Sequence, residues 1–192
     1  MEVKPIITEI FSVPIYSVKL NLDLKSLEEF VNFYQSNDKE GRVVSNYGGY
    51  QSKDLPEKTK ALESLIKEVE KHTSNFAGAF INNAKQKLSN VWFNVNRYKD
   101  CNMPHSHPMS EVSGIIYIKA AKDCGKIVFC HPNSEVLSFF DSHLDISSRN
   151  HYNSHRWEFE PENNLMLLFP SWLKHWVESN NHKEFERISF SF

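Results

Sequence analysis

The sequence predicts a mainly β fold with flanking α-helices, and three observations support this class. From Asn90 onward, apolar residues recur with a period of two in short runs divided by turn residues, which is typical of an antiparallel sandwich or barrel. Before Asn90, two segments carry apolar residues at helical spacing. The 192 residues are 40% hydrophobic, which suffices for one sizeable core. We therefore expect a single domain, 1–192, with helices covering one face of the β structure.

The part up to about residue 89 is predicted to contain an edge strand, a loop and two helices. "IFSVPIYSVKL" mixes β-branched and aromatic residues around Pro14, as edge strands often do. The turn-rich "SNYGGYQS", Ser45 to Ser52, is predicted to be a loop. Apolar residues at i, i+3, i+4 and i+7 mark the helices. They are Leu27, Phe30, Val31 and Tyr34, then Leu62, Leu65, Ile66 and Val69, the second series continuing through Phe76 and Phe80 toward Leu88.

The part from about 90 to 192 is predicted to form the β core. Its strand-like runs are "VWFNVNRY", "VSGIIYIKA", "KIVFC", "RWEFE", "NLMLLFP", "WLKHWVE" and "RISFSF". The irregular stretch 131–155 interrupts them and is long enough to be a lid or binding loop, or else an unsupported insertion. It contains four histidines whose spacing fits no metal-binding pattern: His131, His143, His151 and His155.

Composition narrows the partners and the compartment. A net charge of −2 without long basic runs argues against nucleic acid. No apolar run approaches the ~20 residues of a transmembrane helix, and "MEVKPIITEI" lacks the pattern of a signal peptide. Cys101, Cys124 and Cys130 show no C-x-x-C spacing, which argues against a disulfide framework and a structural zinc. These features predict a cytoplasmic protein that binds neither nucleic acid nor membranes.

Two histidines one residue apart, His105 and His107, stand between two prolines in "MPHSHPMS". The prolines favour extended backbone, because each disfavours the helical region for the residue before it. On extended backbone, residues i and i+2 point to the same side, so both rings can face one metal ion. A chance surface pair in a chain with nine histidines is the competing interpretation.

The run "VWFNVNRY" places Trp92, Asn94, Asn96 and Tyr98 on one side of a strand. Amides between large aromatic rings indicate a wet cavity, because a solvent-facing side more commonly carries Lys, Glu or Thr. An ordinary solvated face is the alternative.

The C-terminal segment supplies a third histidine and a candidate anion anchor. "LMLLFPSWLKHWVE" leads from a buried-type strand through a turn to His175, and Arg187 follows twelve residues later. Alternation in "ERISFSF" puts Arg187, Ser189 and Ser191 on one side. A guanidinium can bind a carboxylate through two parallel hydrogen bonds, and each hydroxyl adds a donor. A salt-bridged edge residue is the alternative.

With these segments in order, the chain resembles the Fe(II)/2-oxoglutarate-dependent dioxygenases. More specifically, it is similar to a group of 2-oxoglutarate-Fe(II) oxygenases from phages and marine bacteria. The resemblance runs nearly end to end, through "IFSVPIY", "SNYGGYQS", "WFNVNRY", "PHSHPMSEVSGIIYIK", "LFPSWLKHWV" and "ERISFSF". It implies a double-stranded β-helix, a cupin-like jelly roll, with the helices packed outside.

The resemblance also implies roles for individual residues. His105 matches the first metal ligand, and His175 matches the distal histidine. Arg187 matches the residue that binds the remote carboxylate of 2-oxoglutarate, and Tyr117 resembles a tyrosine that prolyl hydroxylases aim at the same carboxylate. Further candidates for cosubstrate binding are Ser189, Ser191 and Asn96.

His107 departs from the family pattern, since most relatives carry a carboxylate there. Three neutral imidazoles can bind a divalent first-row metal, but they leave it with its full +2 charge. His107 is therefore a ligand, or a water takes its place, or Glu111 reaches the metal. The i, i+2 geometry favours His107 as the third ligand and member of the catalytic centre.

The activity expected from the resemblance is an Fe(II)/2-oxoglutarate-dependent hydroxylase that uses O2 and converts 2-oxoglutarate to succinate. One alternative is a three-histidine cupin that acts as a 2-oxoglutarate-independent dioxygenase or isomerase. Another is a non-catalytic metal- or ligand-binding jelly roll. Neither alternative needs a buried Arg187. The substrate, a small molecule or a peptide, is expected to contact the loops 131–155 and 45–52, and a homodimer is compatible with the sequence.

Overall fold

The computed structural model describes residues 6–56, 59–79 and 86–192. Its helices are α1 (Leu24–Asn37), α2 (Glu63–Ala77) and α3 (Ser134–Asp141), and one turn of 3-10 helix, Lys60–Leu62, precedes α2. Its strands are β1 (Tyr16–Lys19), β2 (Asn46–Tyr47), β3 (Tyr50–Gln51), β4 (Trp92–Asn96), β5 (Cys101–His105), β6 (Val112–Lys119), β7 (Ile127–Cys130), β8 (Arg156–Phe159), β9 (Leu165–Pro170), β10 (His175–Val177) and β11 (Arg187–Ser191).

The strands form two antiparallel sheets in the order of a jelly roll. One sheet has the order β1-β9-β6-β11-β4-β3, and the other has the order β2-β5-β10-β7-β8. From β4 onward the chain crosses repeatedly between them, so that β4, β6, β9 and β11 lie in one sheet and β5, β7, β8 and β10 in the other. This winding is that of a double-stranded β-helix, and the predicted fold class is confirmed.

The larger apolar core lies between the six-stranded sheet and the helices. α1 contributes Leu27 and Val31, α2 contributes Leu65 and Val69, and the sheet contributes residues such as Phe93. The helices therefore cover the outer face of this sheet, as the sequence predicts.

A second apolar cluster lies between the two sheets and includes Ile115, Tyr117, Phe129 and Phe169. The six-stranded sheet is thus covered on both faces, and all five residues of β4 are buried. Because the sheet is covered on both faces, polar side chains on the inner face of β4 are shielded from bulk water.

Both predicted helices are present, but the second is shorter than the sequence suggests. α1 starts after Asp23, whose side chain accepts a hydrogen bond from the backbone N–H of Ser26 at 3.2 Å and so caps the helix. α2 ends at Ala77, followed by Gly78, a poor helix former. The prediction that the helix runs toward Leu88 is wrong, and Phe80, which it included, lies outside the described residues.

The predicted loop 45–52 contains two short edge strands that belong to different sheets. β2 pairs with β5, whereas β3 pairs with β4. Gly48 and Gly49 connect them with φ of 67° and 66°, left-handed values that glycine adopts without strain. The segment therefore bridges the two sheets at one end of the molecule.

The structure also shows the predicted edge strand and the irregular stretch 131–155. β1 pairs with β9 at the edge of its sheet, as expected for an edge strand. The irregular stretch 131–155 includes the short helix α3. Within the described ranges, no helix is long and apolar enough to cross a membrane.

Candidate active site

Three imidazoles meet where β5 pairs with β10. His105 at the end of β5 lies opposite His175 at the start of β10, and His107 follows two residues after His105. The ring centroids are 4.4 Å apart for His105 and His175, 4.9 Å for His105 and His107, and 5.2 Å for His107 and His175. One nitrogen of each ring lies within 4.8 Å of the others, a spacing that allows one ion to contact all three.

Backbone carbonyls fix the tautomer of two of these histidines. Nδ1 of His105 lies 2.7 Å from the carbonyl oxygen of Met103, and Nδ1 of His175 lies 2.8 Å from that of Leu173. A carbonyl oxygen only accepts, so each Nδ1 carries the hydrogen and each Nε2 keeps a free lone pair. Both rings are thereby prepared to bind a metal through Nε2.

His107 is held differently. Its backbone N–H donates to the carbonyl of Ser171 at 2.9 Å, and its ring lies 5.9 Å from the ring of Trp92. In the described part of the chain its ring makes no hydrogen bond. Contact with Trp92, rather than a hydrogen bond, therefore limits the orientation of this imidazole.

Burial keeps the three imidazoles neutral. The rings of Phe129 and Phe169 lie 5.9 Å and 4.7 Å from that of His175, which is 3% exposed. Desolvation, with a smaller effect of the neighbouring His105, lowers the pKa of His175 to about 3 and that of His107 to about 4. Desolvation also lowers the pKa of His105. Neutral imidazole is the form that binds metals.

No carboxylate joins the three histidines among the described residues. Glu111, the alternative ligand considered from the sequence, is exposed and lines a separate groove with Met109 and Ser110. The donor set is thus three neutral nitrogens, which suits a divalent first-row transition metal but supplies no charge to it.

Arg187 lines the same cavity and is buried, with 1% of its surface exposed. Its Nη1 donates to the carbonyl oxygens of Cys124, Gly125 and Glu178, the latter two at 2.9 Å and 3.3 Å. Its Nε and Nη2 are buried and have no partner in the described residues. These two nitrogens form one edge of the guanidinium, whose parallel N–H groups match a carboxylate.

Tyr117 and Ser189 lie side by side on neighbouring strands next to Arg187. Tyr117 is fully buried, and its hydroxyl has no partner among the described residues. Burial raises the pKa of Tyr117, so the phenol stays protonated and can donate. Ser189 and Ser191 both line the cavity. The hydroxyl of Tyr117 and the free edge of Arg187 are therefore buried donors without partners among the described residues, although Tyr117, unlike Arg187, is not among the residues that line the cavity.

The inner face of β4 is the polar wall that the sequence predicts, with two corrections. Trp92 and Asn94 line the cavity with the histidines. Asn96 is buried, but it donates to the side chain of Asn102 at 3.5 Å and is not among the lining residues. Tyr98 lies beyond β4 and is 41% exposed, so the prediction that it shares this wall is wrong.

The sequence did not single out Gln51 and Asn102, which also line the cavity, although Gln51 lies in the segment 45–52 that was expected to contact the substrate. Gln51 donates to Oδ1 of Asn94 at 3.0 Å, because β3 pairs with β4. Asn102 comes from β5 in the opposite sheet and approaches the same oxygen at 3.5 Å. Neither residue lies in a run with readable alternation, so only the sheet pairing reveals them.

Among the described residues, the histidines of the stretch 131–155 do not form a metal site. His151 lies 3.1 Å from Glu9, and His155 lies 2.9 Å from Asp141. The stretch lines a groove formed with the N-terminal segment. Of the two segments expected to contact the substrate, only 45–52 lines the cavity of the three histidines, through Ser45 and Gln51.

A family model described as "Putative 2OG-Fe(II) oxygenase" matches residues 90–192, which is just over half of the chain and coincides with the predicted β core. No curated relative matches the sequence.

Solved structures with a similar fold are remote in sequence. A Pseudomonas putida prolyl-4-hydroxylase is 12% identical, with a TM-score of 0.63 over 94% of this chain and 91% of that chain. A Trichoplax adhaerens prolyl hydroxylase, in complex with a hypoxia inducible factor peptide, is 15% identical, with a TM-score of 0.63 over 92% and 81%. HygX from Streptomyces hygroscopicus, with nickel and 2-oxoglutarate bound, is 10% identical, with a TM-score of 0.63 over 94% and 81%. At these identities the likeness shows the fold.

Proposed function

We propose that this chain, which belongs to the 2OG-Fe(II) oxygenase family, hydroxylates its substrate with Fe(II), 2-oxoglutarate and O2. In the overall reaction one oxygen atom enters a substrate C–H bond, the other enters succinate, and CO2 is released. The chemistry that bound Fe(II) would supply is the activation of O2, with two electrons from 2-oxoglutarate and two from the substrate.

The free edge of Arg187 is the observation that carries this proposal. Burying a guanidinium without partners for Nε and Nη2 is costly, yet Nη1 is held by three carbonyls while that edge is left unpaired. Burial lowers the pKa of Arg187, but arginine stays cationic in proteins. The residue is therefore suited to the remote carboxylate of 2-oxoglutarate.

The other residues have complementary tasks in this proposal. Nε2 of His105 and of His175 would hold the metal, and His107 would complete the set with its own ring nitrogen. The hydroxyls of Tyr117 and Ser189 would donate to the carboxylate held by Arg187. Because Arg187 and the three imidazoles line one cavity, the chain would orient a molecule that bridges them.

The absence of a carboxylate among the described ligand candidates favours one other function, a three-histidine cupin that uses its metal without 2-oxoglutarate. That activity does not account for a buried guanidinium with a free edge. The two functions differ in whether 2-oxoglutarate binds, so the binding of 2-oxoglutarate distinguishes them.

The test starts with metal-free protein that is loaded anaerobically with Fe(II) and titrated with 2-oxoglutarate. We expect the visible metal-to-ligand charge-transfer band of an Fe(II)–2-oxo acid complex. On exposure to air, succinate should form even without substrate and can be followed by mass spectrometry. The double variant His105→Ala/His175→Ala is the control and should give neither signal. Oxygen consumption that is independent of 2-oxoglutarate would favour the cupin function instead.

A further inference from the structure

We infer that the substrate presents a secondary amide, as part of a peptide segment, to the side chains of Gln51 and Trp92. The inference rests on the proposed function, because it places the substrate beside the three histidines.

Gln51 and Trp92 lie where two spaces meet. Both line the inner cavity with the histidines and Arg187, and both line an outer groove of about 400 Å³. His105 and His107 also line both spaces. A molecule that enters from the groove therefore meets Gln51 and Trp92 next to the candidate metal ligands.

Gln51 offers an acceptor whose orientation is fixed by its neighbours. Oδ1 of Asn94 faces the side-chain nitrogens of Gln51 and Asn102, at 3.0 Å and 3.5 Å, while Nδ2 of Asn94 donates to Oγ of Ser191 at 3.4 Å. With Asn94 so oriented, Gln51 must donate through Nε2, which leaves its Oε1 buried without a partner among the described residues.

Trp92 offers a matching donor. The residue is 8% exposed, and its Nε1–H is buried without a partner in the described ranges. Most buried polar groups in proteins are hydrogen-bonded, so two unpaired groups at one junction call for a physical reason. A peptide unit supplies one C=O for the indole N–H and one N–H for the Gln51 oxygen.

Apart from the metal that His105 and His107 would hold, the groove carries little charge that would select an ion. Among the described residues, Arg42 is its cation, and no Asp or Glu lines it. Nη2 of Arg42 is paired with Asp54 at 2.9 Å, its Nε is buried without a partner among the described residues, and the guanidinium lies over the Trp92 ring at 5.2 Å. The pair neutralises the wall, so a neutral ligand fits better than a carboxylate or an ammonium group.

The rim of the groove favours a peptide segment over a small amide. Val44 is 74% exposed and Met103 is 52% exposed, and Pro104 and Pro108 line the same groove. Exposed apolar side chains around a cleft are typical of binding surfaces. These rim residues surround the junction of Gln51 and Trp92. The side chains that flank the bound amide in a peptide would pack against them.

The test uses ¹⁵N-labelled protein loaded with Zn(II), a diamagnetic substitute for Fe(II), and with 2-oxoglutarate. The probes are pools of tetrapeptides with an N-terminal acetyl group and a C-terminal methylamide. The indole N–H signal of Trp92 is assigned by its loss in Trp92→Phe. We expect saturable movement of this signal, and Gln51→Met should raise the dissociation constant about five- to a hundredfold, because it removes one acceptor from a buried hydrogen bond.

Matched probes and variants test the amide itself. Pools with N-methylated peptide nitrogens lack the donor and should bind about five- to a hundredfold more weakly to the unmodified protein. Trp157→Phe makes the same chemical change at an exposed residue of β8 outside the groove and should bind the pools like the wild type. N-Methylacetamide tests whether a small amide suffices, and acetate tests for anion binding.

Three results would overturn the inference: no movement with any peptide pool, equal binding of N-methylated pools, or movement caused by acetate or N-methylacetamide but not by the peptides. The Fe(II)–2-oxoglutarate band separates this failure from that of the proposed function. A band without a peptide response refutes the peptide substrate alone, whereas the absence of the band refutes the cosubstrate.

Discussion

One half of the Arg187 guanidinium is bound by the chain, and the other half is not. Nη1 is saturated by backbone carbonyls, while Nε and Nη2 remain buried and unpaired. The backbone therefore acts as a clamp that presents two parallel donors to a ligand. A lysine at this position would keep the charge but not the two parallel donors.

We predict that Arg187→Ala raises the dissociation constant of 2-oxoglutarate by about thirtyfold to several thousandfold, because a buried carboxylate without its partner costs about 2–5 kcal/mol. Arg187→Lys should recover part of the affinity. Titration of anaerobic Fe(II)-loaded protein, followed by the charge-transfer band, measures both constants. Metal content should stay near that of the wild type, and equal 2-oxoglutarate affinity in wild type and Arg187→Ala would contradict the assignment.

Two substitutions measure the contribution of His107 to metal affinity. His107→Ala should weaken metal binding by more than about a hundredfold, since even residues that only support a ligand contribute ten- to a hundredfold. His107→Asp should bind Fe(II) and restore the charge of a two-histidine, one-carboxylate site. Competition with a chromogenic chelator measures these affinities. Unchanged affinity in the alanine variant would transfer the role to water or to Glu111.

We predict one divalent metal per chain, lost in His105→Ala and in His175→Ala. Ligand nitrogens should lie at roughly 2.0–2.2 Å from the ion, and the protein as purified should contain nickel or zinc, which nitrogen-rich sites bind more tightly than Fe(II). Elemental analysis and X-ray absorption check both points. His143→Ala is a matched control in the stretch 131–155 and should retain the metal.

At the scale of elements, the turn between β6 and β7 sets the position of Arg187. Gly125 in this turn has a φ of 92°, and a Cβ added there would lie 2.2 Å from the carbonyl oxygen of Glu178 and 2.6 Å from Nη1 of Arg187. The turn can approach the guanidinium only because this residue has no side chain.

Gly125→Ala should therefore lower the free energy of unfolding by about 1–3 kcal/mol, the usual cost of a strained backbone conformation. It should also weaken 2-oxoglutarate binding, because the Nη1 anchor must move. Urea denaturation and the charge-transfer titration measure the two effects. Gly78→Ala is the comparison, since Gly78 has a φ of −59° and should tolerate alanine. A Gly125→Ala protein as stable as Gly78→Ala would show that the turn can relax.

At the scale of the whole molecule, the candidate ligands join β5 and β10 with the loop that follows β5, so metal binding should stabilise the fold. Metal at a hundred times its dissociation constant contributes about 2.7 kcal/mol, which raises the Tm by about 5–10 °C at about 2–4 °C per kcal/mol for a chain of this size. Differential scanning calorimetry with and without Ni(II) measures the shift. The double variant His105→Ala/His175→Ala should show none, and an equal shift in that variant would place the metal elsewhere.

The sequence by itself determined the local features of this protein. Period-two runs after Asn90 gave the mainly β class, and helical spacing gave α1 and most of α2. The i, i+2 spacing of His105 and His107 put two imidazoles side by side, and alternation in β11 grouped Arg187 with Ser189. These inferences succeed because strand and helix geometry fix which side chains share a face within a few residues.

Only the tertiary structure decided which faces meet. His175 lies opposite His105 through the pairing of β10 with β5, and Gln51 reaches Asn94, 43 residues away, through the pairing of β3 with β4. Two of the three carbonyls that anchor Arg187 lie 62 and 63 residues away in the sequence. Backbone carbonyls leave no mark in a sequence, and register depends on packing across the whole sheet. The free edge of Arg187 and the unpaired groups of Gln51 and Trp92 therefore emerge only after the two sheets have closed around the cavity.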